Sequence, residues 1–108
     1  MSIQRTRIEK RADIARALAT AGFEDVYVLD RESADQVLTA KRTELLDRLR
    51  EEDAESVRDL ARTLDRDKGS VSRDLDTLAR HDLVTFRERG TRKIPTVKHE
   101  TVIVEPLV

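Results

Sequence analysis

The sequence contains no cysteine, only three aromatic residues and no long hydrophobic run among its 108 residues. Without cysteine there is no disulfide framework, no thiol nucleophile and no thiolate zinc site. The two histidines lie 18 positions apart and do not form a helical metal pair. Because the sequence has no long apolar run, we expect no signal peptide and no membrane span. We therefore expect a cytoplasmic protein that has no membrane partner, no metal and no cofactor.

The scarcity of aromatic residues (3%) predicts a core built from Leu, Ile, Val and Ala. The chain is long enough to bury the apolar surface that a single fold needs without a metal or a disulfide. Two prolines and three glycines are the only residues that strongly favour interruption of a helix or strand. The sequence contains no internal repeat and no flexible linker.

The net charge of −1 does not by itself suggest a nucleic-acid partner, but its distribution does. Residues 1–55 carry a net −3, residues 56–98 a net +4, and residues 99–108 a net −2. A basic segment between acidic ones marks where a polyanion would bind. Arginine outnumbers lysine 16 to 5, which fits a salt-loving source or a GC-rich genome equally well.

Residues 1–38 are predicted to contain a helix, a short strand and a short helix. Helical periodicity covers residues 4–21, and Gly22 follows at the helix-stopping position. Residues 26–29 form a β-branched and aromatic run that is too brief for a helix, which favours a strand. Ser33 is placed to cap a short helix through Leu38. The first helix has an alanine-rich stripe, so this segment is a candidate dimerisation element; the alternative is that the helix packs on its own domain.

Residues 39–108 are predicted to form a second domain that begins with three helices. Thr39 caps the first of them, and the capping box Ser56–Asp59 opens the second, its serine and its acid each satisfying a free backbone donor. A break at residues 65–67 separates this helix from the third, which ends near His81-Asp82.

A basic hairpin and a final strand follow these helices. The hairpin is predicted from strands at residues 83–87 and 93–97 with a tight turn at 88–91, and residues 101–104 are expected to pair with residues 26–29. Two short helices joined by a tight turn and followed by a basic hairpin form a winged helix-turn-helix. We therefore expect an α+β fold with a three-helix core and a β-hairpin wing, plus an N-terminal helix and a small extra strand pair.

The third helix is expected to enter the major groove of DNA, because a helix can read base edges only when its inner face is locked against the protein. Val71, Leu75 and Leu78 form that inner face, and Arg73 points away from them, where it can reach a guanine edge or a phosphate. Lys68 lies near the helix N-terminus, where free N–H groups favour phosphate. The wing cations suit a phosphate backbone or a minor groove. The candidate DNA-binding residues are Arg66, Lys68, Gly69, Ser70, Ser72, Arg73, Thr77, Arg80, Arg87, Arg89, Gly90, Arg92 and Lys93.

A set of residues between Ser56 and Val97 resembles a known family. It consists of Ser56–Ala61, Leu64, Arg66-Asp67, Val71, Arg73–Leu75, Leu78, Leu83-Val84 and Pro95–Val97. Over residues 39–104 the chain is similar to archaeal winged-helix DNA-binding proteins, the MarR-like transcription regulators common in haloarchaea. The resemblance implies a DNA-binding regulator with groove contacts from residues 68–80 and backbone contacts from the wing.

Two departures from the family's pattern concern the third helix. Many relatives have Gly where Asp82 stands, which leaves open how the helix ends in this chain. Asp74 and Asp76 lie on or near the surface of this helix and would repel phosphate if they faced it.

The predicted function is that of a sequence-specific regulator that binds double-stranded DNA. It is expected to be a homodimer of the repressor type, with residues 68–80 in the major groove and residues 87–93 on the backbone. The alternative is a winged-helix protein–protein interaction module in a transcription or processing complex, whose basic segment faces an acidic protein. RNA binding is less favoured because exposed aromatic residues for stacking are lacking. The sequence holds no catalytic set, which argues against an enzyme, and it gives no support for a small-molecule effector.

Several of these residues also have a purely structural interpretation. Arg73 can pair with Asp76 or Thr77 at helical spacing, and the hairpin cations can keep an edge strand from pairing with other chains. A cation at His81 would interact favourably with the dipole of the helix that ends there. His99 has no partner of a suitable type near it in the sequence.

Overall fold

The computed structural model describes residues 7–106 and contains five helices and four strands in that range. In chain order they are α1 (Arg7–Thr20), β1 (Val26–Asp30), α2 (Arg31–Val37), α3 (Ala40–Glu51), α4 (Val57–Thr63), α5 (Lys68–Arg80), β2 (Val84–Arg89), β3 (Arg92–Val97) and β4 (Thr101–Glu105). The predicted α+β class is confirmed, and each predicted helix and strand is present. Positions 4–6 of the first predicted helix lie outside the described residues.

The chain divides into two compact units. The first holds residues up to 36 and from 99 onwards, and the second holds residues 37–98. The predicted domain boundary after residue 38 kept the last strand with the winged helix. The structure instead places β4 in the first unit, because β4 pairs with β1 along its full length.

The first unit is built around a two-stranded parallel sheet. Val26–Asp30 pairs in register with Thr101–Glu105, so that Val28 lies opposite Ile103. The predicted pairing of these two segments is therefore confirmed. α1 packs against β1, and Val28 and Leu29 are buried.

The short helix α2 begins at Arg31, two residues before its predicted cap. The backbone N–H of Ser33 donates to Asp30 Oδ1 at 2.7 Å, so Asp30 at the end of β1 caps this helix. The prediction that Ser33 is the cap was wrong, because Asp30 offers a carboxylate to the helix start three residues earlier.

His99 joins the start of β4 to the start of β1. Its Nδ1 atom lies 2.9 Å from Asp25 Oδ1, and its ring stacks on Tyr27 with ring centres 4.7 Å apart. Asp25 Oδ2 also accepts a hydrogen bond from the Glu100 backbone N–H at 3.3 Å. The sequence offers His99 no suitable partner nearby and no role, and the partner that the fold supplies, Asp25, lies 74 positions earlier.

The core of the second unit is aliphatic, as the scarcity of aromatic residues predicts. Its most buried side chains are Val37, Leu45, Val71, Leu75, Leu78, Leu83 and Pro95. These come from the last residue of α2, from α3 and α5, from Leu83 just before β2, and from β3. Leu60 and Ala61 of α4 are also buried, so a three-helix core with a β-hairpin wing is confirmed.

The predicted caps of α3 and α4 are in place. Thr39 Oγ1 accepts a hydrogen bond from the Arg42 N–H at 3.2 Å, and Ser56 Oγ accepts one from the Asp59 N–H at 3.0 Å. The reciprocal half of the capping box is displaced by one residue: Asp59 Oδ2 accepts from the N–H of Glu55, at 3.5 Å, instead of from that of Ser56.

Three helices end in the same way, each with one residue in the left-handed region. These residues are Gly22 (φ +101°) after α1, Asp65 (φ +52°) after α4 and Asp82 (φ +61°) after α5. In each case the next residue donates its N–H to the carbonyl five positions earlier, as in a Schellman motif: Phe23 to Leu18, Arg66 to Ala61 and Leu83 to Leu78. Asp82 therefore ends α5 as a glycine would, because Asp tolerates this conformation better than most residues.

The wing is an antiparallel hairpin with a two-residue turn. Arg89 pairs with Arg92 across Gly90-Thr91, so the turn is shorter than the predicted residues 88–91. Of the two turn residues only Gly90 has a positive φ (+64°), which is the pattern of a type II′ turn. This turn fixes which wing residues lie opposite each other.

Gly90→Ala should lower the free energy of unfolding by about 1 kcal/mol, since a side chain disfavours the left-handed region by roughly 1–2 kcal/mol. No atom lies within 4 Å of the position that a Cβ would occupy, so the cost is conformational and not steric. Gly90→Asn should cost less because Asn tolerates this region. Urea denaturation of the two variants checks the order, and equal losses for Ala and Asn would contradict it.

Two kinds of feature are absent from residues 7–106. None of their helices combines the length and the apolar character that crossing a bilayer requires. Nor do these residues contain a group of three or more His, Cys, Asp or Glu side chains placed to hold a metal ion.

Candidate nucleic-acid interface

α5 presents one face to the core and one to solvent, as its periodicity predicts. Val71, Leu75 and Leu78 are fully buried. The predicted contacts Lys68, Arg73 and Arg80 are exposed, and Gly69, Ser70, Ser72 and Thr77 are half-buried. The outer face of α5 is therefore available to a partner.

The first turn of α5 borders a cleft that also involves α4 and the wing. This cleft has a volume of about 370 Å³ and is lined by Ser56, Val57, Arg58, Lys68, Ser72, Thr91, Arg92 and Lys93. We call it the basic cleft, because four of its eight residues are cations and none is an acid. It brings together three elements that are separated in the sequence.

The basic cleft contains residues that the sequence prediction missed. Lys68, Ser72, Arg92 and Lys93 were predicted, whereas Ser56, Arg58 and Thr91 were not. A signal for Arg58 was present in the sequence, since it follows the N-cap of the first helix of a helix-turn-helix, the helix that crosses the DNA backbone.

The four cations of the basic cleft are not neutralised within residues 7–106. Arg58, Lys68, Arg92 and Lys93 form no ion pair with another described residue. Elsewhere in the second unit, Arg48 pairs with Glu52 at 3.0 Å and Lys98 pairs with Asp82 at 2.9 Å. The charge of the cleft therefore remains available to an external anion.

The tip of the wing places like charges side by side. Arg89 lies directly opposite Arg92, and together with Glu55 and Gly90 they line a second cleft of about 540 Å³. Like charges directly opposite one another destabilise a hairpin. Arg87 is exposed on the same face of the hairpin, two residues before Arg89. An anion bound at the tip of the wing would offset the repulsion between Arg89 and Arg92.

Asp74 does not face the predicted DNA side of α5. Its Oδ1 accepts a hydrogen bond from Arg42 Nε at 3.2 Å, and its Oδ2 accepts one from Arg66 Nη2 at 2.6 Å. The Asp74 side chain is 18% exposed and that of Arg66 only 11%. Two arginines therefore neutralise this carboxylate beneath the surface of the helix.

Arg66 and Ser70 face this ion-pair cluster instead of solvent. Arg66 Nη2 donates to Ser70 Oγ at 2.9 Å as well as to Asp74. The carboxylate of Asp74 draws the Arg66 guanidinium inward, and the DNA contacts expected of Arg66 and Ser70 stay predictions.

The N-terminus of α5 carries its own anion. Asp67 Oδ2 accepts a hydrogen bond from the Ser70 N–H at 3.0 Å, which is one of the amides expected to favour phosphate. A Cβ on Gly69 would lie 3.1 Å from this carboxylate oxygen and 3.4 Å from Arg73 Nη1. Gly69 therefore leaves room for the Arg73 guanidinium beside its own helix.

The outer residues of α5 differ in how they are engaged. Thr77 Oγ1 donates to the Arg73 carbonyl oxygen at 3.1 Å and accepts from Arg80 Nη2 at 3.2 Å. The Arg73 guanidinium makes no ion pair with any residue in the described part of the chain, including Asp76. Arg73, like Lys68, is thus an exposed cation of α5 that is available to a ligand, whereas Arg80 is hydrogen-bonded to Thr77.

Comparisons with known proteins agree with this fold. The sequence model of the HVO_A0114 family matches residues 37–104. No curated protein matches the chain significantly. One similar solved structure is the homodimeric winged helix-turn-helix DNA-binding domain of Mb0332 from Mycobacterium bovis, a possible ArsR-family transcriptional regulator, with a TM-score of 0.57 and 22% identity over 93% of this chain and 78% of that chain. Another is NolR from Sinorhizobium fredii, with a TM-score of 0.56 and 20% identity over 93% of this chain and 84% of that chain.

Proposed function

Because this chain belongs to the HVO_A0114 family and carries an unneutralised basic cleft on a winged helix-turn-helix, we propose that it is a transcription regulator that binds double-stranded DNA. The observation that carries the proposal is the convergence of Arg58, Lys68, Arg92 and Lys93 from three elements on one cleft. Cations that have no internal partner and lie together are the footprint of a polyanion site.

In this proposal α5 enters the major groove and the wing contacts the backbone. The buried face of α5 locks the helix, and Arg73 reads a guanine edge or a phosphate. Arg58, Lys68 and Lys93 bind phosphates on either side of the groove, and they set the orientation of the protein without reading sequence. Arg87, Arg89 and Arg92 bind the backbone or the minor groove beyond α5.

The proposal extends to assembly and output. Two copies bind a twofold-symmetric site and repress by excluding the transcription machinery. The homodimeric state of the Mb0332 domain supports this arrangement by analogy. From the sequence resemblance we further propose that the regulator is of the MarR-like type, archaeal and cytoplasmic. No small-molecule effector is part of the proposal.

Selection from a pool of random duplex DNA, at two salt concentrations, tests the proposal. The expected result is an enriched palindrome that persists at the higher salt. Arg73→Ala should relax one position in each half-site and weaken specific binding by about 1–3 kcal/mol, which is the usual worth of a bidentate base contact. Lys41→Ala is the matched control, because Lys41 is an exposed cation on α3 outside the basic cleft.

Weak binding that is blind to sequence and disappears at the higher salt would overturn the proposal. It would leave only a basic patch, and the alternative of a protein–protein interaction module that contacts an acidic surface would then be favoured. If Arg73→Ala and Lys41→Ala changed DNA specificity equally, Arg73 on α5 would have no role in sequence recognition.

A further inference from the structure

The sheet of the first unit is incomplete as a single chain. Among the described residues, β1 and β4 pair only with each other, so each strand has one edge without a strand neighbour. Parallel sheets in other folds are covered on both faces, and a two-stranded sheet is marginal alone. Every residue of β4 is only half-buried. A partner strand would complete both the hydrogen bonding and the burial.

The free edge of β4 has few of the features that keep strands from pairing with other chains: Glu105 is its only charged residue, and Pro106 follows it. Residues 101–104 are uncharged, include no glycine or proline, and three of the four are β-branched valine or isoleucine. The wing, by contrast, is protected by Arg87, Arg89, Arg92 and Lys93, and Pro95 lies within β3. An edge that is uncharged over four of its five residues is a template for another strand.

We propose that β4 pairs antiparallel with β4 of a second copy of this chain, about a twofold axis that passes beside Ile103. This proposal rests on the homodimer of the proposed function and names its interface. Identical strands related by a twofold axis run antiparallel. The result is a four-stranded sheet in the order β1-β4-β4-β1. β1 is less suited to this role, because it packs against α1 and leads directly into α2, which its last residue caps.

The sequence of β4 is self-complementary in this register. With Ile103 on the axis, Val102 lies opposite Val104 of the partner subunit. Thr101 lies opposite Glu105 of the partner subunit, so the one charged residue of the strand meets a hydroxyl and not a like charge. A strand of five residues buries less than the roughly 800 Å² per partner that stable complexes need. We therefore expect a weak dimer that a twofold-symmetric DNA site stabilises.

Disulfide trapping tests the register, and the chain has no native cysteine to interfere. Cα atoms directly opposite in an antiparallel pair are about 4.5–5.5 Å apart, within the range that a disulfide spans. Ile103→Cys should therefore give, under mild oxidation, a reducible band near twice the 12.4 kDa chain mass. Thr101→Cys is the matched control, since its two copies would be offset by four residues, about 13 Å, and should stay monomeric.

A second pair of variants covers the case in which Ile103→Cys does not fold. An equimolar mixture of Val102→Cys and Val104→Cys should form crosslinked heterodimers in preference to either homodimer, because these two positions face each other across the axis. Circular dichroism of the reduced variants verifies the fold.

Failure of the interface and failure of the proposed function give different results. Equal crosslinking at positions 101 and 103, or none at 103 and none in the mixture, would overturn the β4 pairing. If the same chain still selected a palindrome, the proposed function would stand and the dimer would form elsewhere, with α1 the next candidate. Crosslinking at position 103 without selection of any DNA sequence would support the β4 interface and overturn the proposed function.

Discussion

Asp74→Ala should destabilise the protein by about 2–3 kcal/mol, because it removes charge-assisted hydrogen bonds from a part-buried ion-pair cluster. The substitution removes the carboxylate that accepts hydrogen bonds from Arg66 Nη2 and Arg42 Nε beneath α5. The Arg66 side chain is 11% exposed, so water can replace the lost carboxylate only in part. One nitrogen of that guanidinium, Nη1, is already buried without a hydrogen-bond partner among the described residues.

Asp76→Ala is the matched control, two positions along the same helix. Asp76 is exposed and has no ion-pair partner among the described residues, so its replacement should change the free energy of unfolding by less than about 0.5 kcal/mol. Asp74→Asn should fall between the two, because it keeps a hydrogen-bond acceptor but removes the negative charge beside the two arginines.

Urea denaturation followed by circular dichroism measures the three variants. A loss for Asp74→Ala no larger than that for Asp76→Ala would show that the pairs with Arg42 and Arg66 contribute nothing to stability. The two positions should also differ in DNA binding: Asp76→Ala removes an exposed negative charge from the face proposed to meet DNA and should raise affinity, since a carboxylate there repels phosphate.

The Asp74 cluster shows that ion pairs between residues far apart in the chain cannot be predicted from the sequence. Asp74 was recognised as a residue that would repel phosphate if it faced outward, but its partners were not recognised. Arg66 is 8 positions away and Arg42 is 32 positions away, and such separations leave no periodic signal. His99 and Asp25, 74 positions apart, were missed for the same reason.

Local features were predicted well because their causes lie within a few residues. The caps Thr39 and Ser56 act on amides three positions later, and the inner face of α5 follows from helical periodicity alone. Where two local solutions compete, the sequence is ambiguous. Asp30 and Ser33 are both good caps for α2, and only the end of β1 decides between them.

The candidate interface divides in the same manner. α5 and the wing are contiguous in sequence and both were found, whereas Arg58 belongs to α4 and reaches the basic cleft only through packing of the helices. Its partners there, Lys68 and Lys93, are 10 and 35 positions away. The sequence thus predicts which elements are candidates for binding, and the fold decides which of their cations lie together.

Replacing the four cations of the basic cleft by glutamine should lower DNA affinity by more than about a hundredfold at low salt. Each cation that neutralises a phosphate contributes about −0.9 to the slope of log K against log salt, so the quadruple variant of Arg58, Lys68, Arg92 and Lys93 should lose roughly 3–4 units of slope. Fluorescence anisotropy with a labelled duplex, measured at several KCl concentrations, gives both quantities.

The matched control removes four exposed cations outside the cleft, namely Lys10, Arg16, Arg31 and Lys41, and changes the net charge equally. It should leave most of the slope intact, because counterion release depends on contacts and not on net charge. If both quadruple variants lose the same slope, net charge governs binding and the cleft has no special role.

Stability separates loss of a binding site from loss of the fold. The four cleft cations have no ion-pair partner among residues 7–106, so their removal breaks no internal pair. It also relieves the repulsion between Arg89 and Arg92, which lie opposite each other in the wing. The cleft variant should therefore unfold at the same urea concentration as the parent chain or at a higher one. If the cleft variant loses DNA affinity but keeps its stability, the four cations contribute to binding and not to folding. Their unpaired charges are then explained by a polyanionic ligand.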